Sequence, residues 1–265
     1  MKKALKITAF LLAIALIAAV GLFANALVGN PVSKYLAERT VRTHLESTYL
    51  GTDYVIDSAG YNFKFGWYVV HIVSPGSPDT YFSVTTDMWG GIIRDNFDDV
   101  LSGWNTARRL DDEYRALTDT VFKAPTFPYV TDIAFGTLEI YPREALNSTD
   151  VPSYTLVQEE LELDGVYDIR QLGREAGHLV IYVDETELTS HRAAEIMLDL
   201  RAIFDAAGIP FRAMDLHLRP VRNDDGTRTG KSFNVMHFLY DDITEENLSA
   251  RLEAAAGEQK SEEKK

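Results

Sequence analysis

The hydrophobic and polar positions of this chain open on one unbroken apolar block. From Ile7 to Ala24 the run ITAFLLAIALIAAVGLFA holds a single polar side chain, Thr8, and no charge follows until Lys34. About 18 or more consecutive apolar residues are enough for a helix that crosses a hydrocarbon core with all its backbone groups bonded internally. A soluble surface helix would need a water-facing side, which this run lacks. Residues 1–30 are therefore predicted to form a transmembrane anchor.

Flanking charge predicts orientation. Lys2, Lys3 and Lys6 precede the run, which favours a cytoplasmic N-terminus and extracellular domains on a single-pass protein of the cell membrane. Lys34, Arg39 and Arg42 weigh the other way, with Glu38 among them. Ala24-Asn25-Ala26 has the small residues of a signal-peptidase site, and cleavage there would release the remainder. The run is longer than the apolar core of a signal peptide, about 7–15 residues, so a retained anchor is expected.

Beyond the anchor the period changes repeatedly. Val32 to Tyr49 reads as a helix, with Val32, Leu36, Thr40, Val41 and Leu45 on one side and Lys34, Glu38 and Arg42 on the other. Three strand-like runs follow, Tyr54–Phe65, Trp67–Val73 and Thr80–Met88, joined by tight connections that favour antiparallel pairing. A helix from Asn96 to Phe122 then closes an α-β-β-β-α domain over residues 31–124, bounded by the two prolines of Lys123–Pro128. A second domain over 125–256 is expected to hold a strand at Thr131–Tyr141, a capped helix at Asp168–Gly177, a strand at His178–Val183 and a helix from Thr189. Strands at Phe211–Leu218 and Phe233–Tyr240 and a last helix from Thr244 complete it. Pro142–Asp168 is compatible with strand, helix or loop. Residues 257–265, GEQKSEEKK, have no apolar side chain and are expected to be disordered. The fold class is α+β: a transmembrane helix followed by two small two-layer α/β-sandwich domains with mainly antiparallel sheets.

Composition narrows function mainly by exclusion. The formal net charge is −14; three of the 26 basic residues precede the run, so 23 face 40 acidic residues beyond it, a balance of −17. That argues against binding DNA, RNA or an anionic lipid surface through bulk electrostatics. There is no cysteine, which removes disulfides, thiol nucleophiles and Cys-ligated zinc.

Motifs exclude more than they offer. Gly226-Thr-Arg-Thr-Gly230-Lys231-Ser232 has three residues between its glycines where a phosphate-binding loop needs four, and a strand follows where a helix should. Asn223-Asp224-Asp225-Gly226 would place Val221 and Ser232 at the ends of a calcium loop, where carboxylates belong. The histidines lack HxH or HExxH spacing, and no Gly-x-Ser-x-Gly elbow occurs. No metal or cofactor is expected. Asp215, His217 and Arg219 alternate along one strand and share a face, where a carboxylate can orient an imidazole. They are the weak catalytic candidates, although the solvent-facing side of an antiparallel sheet alternates in the same way. The aromatics of the first sheet, Tyr61 to Trp89, are expected to serve mostly as core.

The phrases Gly29-Asn30-Pro31-Val32-Ser33-Lys34, Tyr61-Asn62-Phe63-Lys64-Phe65-Gly66 and Ser77-Pro78-Asp79-Thr80 together resemble the YfjL-like family, singly anchored proteins of Gram-positive bacteria. The similarity continues through Gly177-His178-Leu179-Val180 and Phe204–Phe211. It implies an N-terminal and a C-terminal domain behind one membrane helix, and lends no activity or catalytic residue. The expected function is a membrane-anchored, non-enzymatic module of the cell envelope that binds a protein or peptide partner. The alternative is a weak hydrolase or carbohydrate-processing enzyme using Asp215, His217 and Arg219, which requires those groups to line a cleft.

Overall fold

The computed structural model describes residues 2–262 and divides into two compact units, split between Asn105 and Thr106. In the first, helix α1 (Lys2–Val28) has 27 residues and is long and apolar enough to cross a membrane. Gly29 ends it, at φ 73°, and a Cβ there would lie 2.7 Å from the Tyr61 ring, so neither conformation nor space admits a side chain. Helix α2 (Pro31–Thr48) restarts at once. Asn30 accepts the Ser33 amide at 2.8 Å, and Pro31 occupies the first helical position, where its missing N–H costs nothing.

The buried stripe of α2, Ala37, Val41 and Leu45, shares a core with an antiparallel meander of β1 (Val55–Asn62), β2 (Trp67–Ser74), β3 (Ser77–Thr86) and β4 (Ile92–Asp95). Strand alternation buries Tyr68, Val70 and Ile72 from β2, and Phe82 and Val84 from β3. Tyr49, Tyr54, Phe82 and Phe97 close the core, with ring centroids 4.7–6.0 Å apart. Much of the aromatic signal of this sheet is thus packing.

The helix expected from Asn96 to Phe122 is two helices, α3 (Asp98–Leu101) and α4 (Trp104–Phe122), separated at Gly103 with φ 76°. Phe97, not Asn96, holds the cap position of α3. The two compact units divide earlier in the chain than the boundary expected near residue 124. Leu110, Tyr114, Val121 and Phe122 of α4 lie in the core of the second unit, where the Tyr114 hydroxyl donates to the Pro210 carbonyl at 2.9 Å. A Cβ on Gly173 would meet the Tyr114 ring at 2.6 Å, so that glycine makes room for α4. An amphipathic stripe states that a helix has a buried side; it does not state which sheet covers it.

After α4 come β5 (Ile133–Leu138), the short β6 (Ile140–Tyr141) and β7 (Leu156–Val157), α5 (Ile169–Ala176), β8 (Gly177–Glu185), α6 (Ser190–Ala207), β9 (Ala213–Pro220), β10 (Phe233–Leu239) and α7 (Leu248–Glu262). The sheet runs β10-β9-β8-β5, with β8 and β9 parallel across the α6 crossover and the other pairs antiparallel. Asp168 caps α5 and Thr189 caps α6, which ends on Gly208 in the left-handed region. The open stretch from Pro142 to Asp168 holds two 3-10 turns and β7. Helix α7 continues over 257–262, part of the segment expected to be disordered, because Glu, Gln and Lys are strong helix formers; residues 263–265 lie outside the described residues.

Limited proteolysis checks the boundary. Cleavage is expected in the Ser102–Gly103 turn, leaving a stable fragment that includes α4. A stable fragment beginning near Pro125 would contradict this assignment, because it would strip Tyr114 and Val121 from their core.

Candidate functional site

The second sheet has two faces of opposite chemistry. Leu179, Ile181 and Val183 of β8, with Met214, Leu216 and Leu218 of β9, form the apolar face and share a core with Ile196, Leu200 and Phe204 of α6 and Leu248 and Leu252 of α7. The intervening positions carry the other face. There Val180 lies beside Asp215, Tyr182 beside His217 and Asp184 beside Arg219.

The structure puts Asp215, His217 and Arg219 on one face, as the alternation requires, but in three separate environments. Asp215 and His217 are 6% and 8% exposed, so this is not a solvated sheet face. Asp215 accepts from His178 Nε2 at 2.7 Å and from the His237 amide at 2.6 Å; His217 is not its partner. The His217 ring stacks on Tyr182, centroids 4.1 Å apart and planes 15° apart, and burial holds its pKa below the ordinary histidine value against the opposing hydrogen bond to Asn234. Arg219 bonds Asp132 at 2.5 Å and Asp184 at 2.9 Å. Arg228 reaches Asp184 at 2.7 Å and Arg222 reaches Asp132 at 2.5 Å, so the long β9–β10 loop is pinned by its arginines. Hydrogen bonds from Arg219 and Arg222 hold the Asp132 carboxyl well below the usual carboxylate range.

The dominant feature of this face was not visible in sequence spacing. His178 sits between two carboxylates: Nδ1 meets Glu139 Oε1 at 2.5 Å and Nε2 meets Asp215 Oδ1 at 2.7 Å, all three side chains being buried. Burial disfavours charge on the imidazole, but the hydrogen bonds to Asp215 and Glu139 outweigh it and push the pKa up to about 9. Burial also opposes charge on Asp215, and His178 together with the His237 amide overcomes it to hold that carboxyl below its ordinary value. His237 stands on a β-bulge of β10 at φ 51°, with its exposed ring 4.8 Å from that of His178 and its Nδ1 2.9 Å from the Tyr154 hydroxyl. The polar positions His178, Tyr182 and Asp184, broken only by Val180, match the alternation of Asp215, His217 and Arg219, and that is the signal that could have placed these two strands side by side.

His178, Asp215 and His237 offer ligand atoms within 4.8 Å of one another. Two ligands of a tetrahedral zinc, each at about 2.0–2.1 Å from it, stand roughly 3.3 Å apart. His178 Nε2 and Asp215 Oδ1 are in direct hydrogen-bond contact at 2.7 Å, closer than that ligand spacing. The arrangement is a closed chain of charge: carboxylate, imidazolium, carboxylate. Clefts of this unit holding about 310 and 420 Å³ are lined by Arg174, Pro210, Arg212 and Tyr240, and by Leu156, Tyr167 and Gln171; neither includes Asp215, His217 or Arg219.

The raised pKa of His178 gives a signed pH dependence. Its stabilisation is fully present below the unfolded value near 6.5 and is lost as pH rises through about 9, roughly 3 kcal/mol in all. Denaturant unfolding of the second unit is expected to weaken between pH 7 and pH 10, and His178→Gln to remove most of that slope. A stability that stays flat over this interval in the unmodified chain would contradict the charged triad.

A model of the YfjL-like N-terminal domain matches residues 2–96, and one of the YfjL-like C-terminal domain matches residues 113–253. A search of curated proteins returned no match. Among solved structures, a DUF5037 family protein from Ruminococcus gnavus ATCC 29149 is similar over 83% of this chain and 98% of its own, at 13% identity and a TM-score of 0.25. The two family models flank the division between the units, cover most of the sequence between them, and show that this chain belongs to the YfjL-like family.

Proposed function

We propose that the chain is a membrane-anchored, non-enzymatic module of the cell envelope whose two domains lie outside the cell and bind a protein or peptide partner. The closed charge chain at Glu139, His178 and Asp215 carries this reading. A general base needs a lone pair poised near neutral pH, whereas both ring nitrogens of His178 are engaged by carboxylates and its pKa stands at about 9. Arg219 is likewise held by Asp132 and Asp184, and His217 is stacked on Tyr182 and hydrogen-bonded to Asn234. A sheet edge suits the expected partner: β1 and β10 are outer strands, and an extended peptide can add to such an edge through main-chain hydrogen bonds. The lysines at the start of α1, ahead of its apolar run, support the outward orientation.

Two measurements test this. Because the chain has no cysteine, single substitutions such as Asp225→Cys, in the exposed β9–β10 loop, report topology cleanly. Labelling of intact cells by a membrane-impermeant maleimide is expected, and labelling only after lysis would contradict an extracellular domain. Crosslinking in cells is expected to capture a reproducible partner. No partner, together with turnover of an envelope polymer that His217→Ala abolishes, would replace the binding module by an enzyme.

A further inference from the structure

The two ends of the first sheet differ in chemistry. At the end remote from α1, the β2–β3 turn is polar: the Asp53 carboxylate accepts from the Ser74 hydroxyl at 2.6 Å and from the Gly76 amide at 3.1 Å. At the end beside α1, the β1–β2 turn runs Asn62-Phe63-Lys64-Phe65-Gly66-Trp67. Its backbone is fixed by the Gly66 amide on the Asn62 carbonyl at 2.9 Å, with Gly66 at φ 70°. Held in that turn, Phe63 and Phe65 are 63% and 60% exposed, and Phe65 stacks on Trp67 at 4.8 Å. Trp89, in the β3–β4 turn at this same end, is exposed as well. Exposed singly, an aromatic residue needs no explanation; three on one ordered turn form a patch that does.

What covers the patch follows from where the turn is tied. The Tyr61 hydroxyl donates to the Ala26 carbonyl at 3.2 Å, and the Tyr68 hydroxyl accepts the Asn30 amide at 2.7 Å, so the end of β1 and the start of β2 are fastened to the end of α1. Counting from Ile7, a rise of ~1.5 Å per residue reaches about 30 Å at Ala26, the thickness of a bilayer's hydrocarbon core. Ala26 therefore marks the boundary between acyl chains and headgroups, and Tyr61 places the turn at that level. Phe23 and Leu27, on either side of Ala26 in α1, are exposed apolar side chains, as are Phe63 and Phe65 of the turn. Aromatic rings concentrate at this depth of a membrane, and an amine flanked by them can reach lipid phosphate, as Lys64 would.

We propose that the Asn62–Trp67 turn is a second membrane contact of this chain, seated in the interfacial layer of the bilayer that α1 crosses, with Phe63, Phe65 and Trp67 among the lipid carbonyls and Lys64 at the phosphates. The proposal rests on the anchoring of α1. It gives the first domain a fixed face toward the membrane, where a single flexible tether would leave it free to turn.

The test uses the full chain reconstituted in phosphatidylcholine–phosphatidylglycerol nanodiscs, with one fluorophore on a single introduced cysteine: Lys64→Cys at the turn, Ile14→Cys within α1, or Pro75→Cys at the far turn. Nitroxide lipids labelled near the glycerol are expected to quench Lys64→Cys at least about threefold more than Pro75→Cys, and deep acyl nitroxides to quench Ile14→Cys. Adding Phe63→Asp and Phe65→Asp is expected to abolish the quenching at position 64 while leaving that at position 14. Quenching at 14 with none at 64 would overturn the second contact and leave the anchor intact. If position 64 is instead shielded from aqueous quenchers without being reached by lipid nitroxides, a protein surface covers the turn and the proposal fails. Absence of quenching at 14 would overturn the anchoring itself, and the proposal with it.

Discussion

The second domain depends on how one buried imidazole is satisfied. His178 comes from β8, Asp215 from β9, Glu139 from the residue after β5, and the amide that completes Asp215 from His237 on β10, so the cluster draws on or beside each strand of the sheet. Burying an ionised group without partners is far more unfavourable than leaving it in water, and a shift of any strand by one residue would turn these side chains to the apolar face. The charge chain therefore specifies register on one face of the sheet while Leu179, Ile181, Leu216 and their neighbours supply the hydrophobic stabilisation on the other. The triad sets one positive charge between two negative ones, so removing the imidazole would leave buried charge uncompensated, the situation in which breaking a buried pair is most damaging.

The first domain is governed by its junction with α1. Gly29 is required by its backbone and by the two tyrosine rings against it, and Asn30 both caps α2 and exchanges hydrogen bonds with Tyr68. These contacts leave little freedom between the apolar helix and the meander, so whatever position α1 takes is transmitted to the sheet.

Legibility in the sequence tracked the range of the interactions involved. Helix α1 is written in an uninterrupted run, α6 in a helical stripe between Thr189 and Gly208, and α5 in its Asp168 cap; all are local signals. Strand β4 has only four residues and left no period to read. The membership of α4 turned on Tyr114 reaching Pro210, a contact 96 positions away, and the triad on contacts 37 and 39 positions apart, none of which spacing reveals. Alternation correctly put Asp215, His217 and Arg219 on one face, yet their chemistry was decided by neighbours on β8, at Asp132 and in the β9–β10 loop.

Those neighbours hold each candidate group in an internal contact, and the proposal of a binding module rests on that. On this account His178 is an imidazolium clamped between carboxylates and is structural in role. Nitrogen-15 NMR of the histidine rings of the full chain in detergent or nanodiscs, assigned by comparison with His178→Gln, tests it most directly. Two protonated ring nitrogens on His178 at pH 7, titrating only near pH 9, are the predicted result. A neutral ring at pH 7 with one unprotonated nitrogen, titrating near the ordinary histidine value, would contradict it and return this face of the sheet to acid–base chemistry.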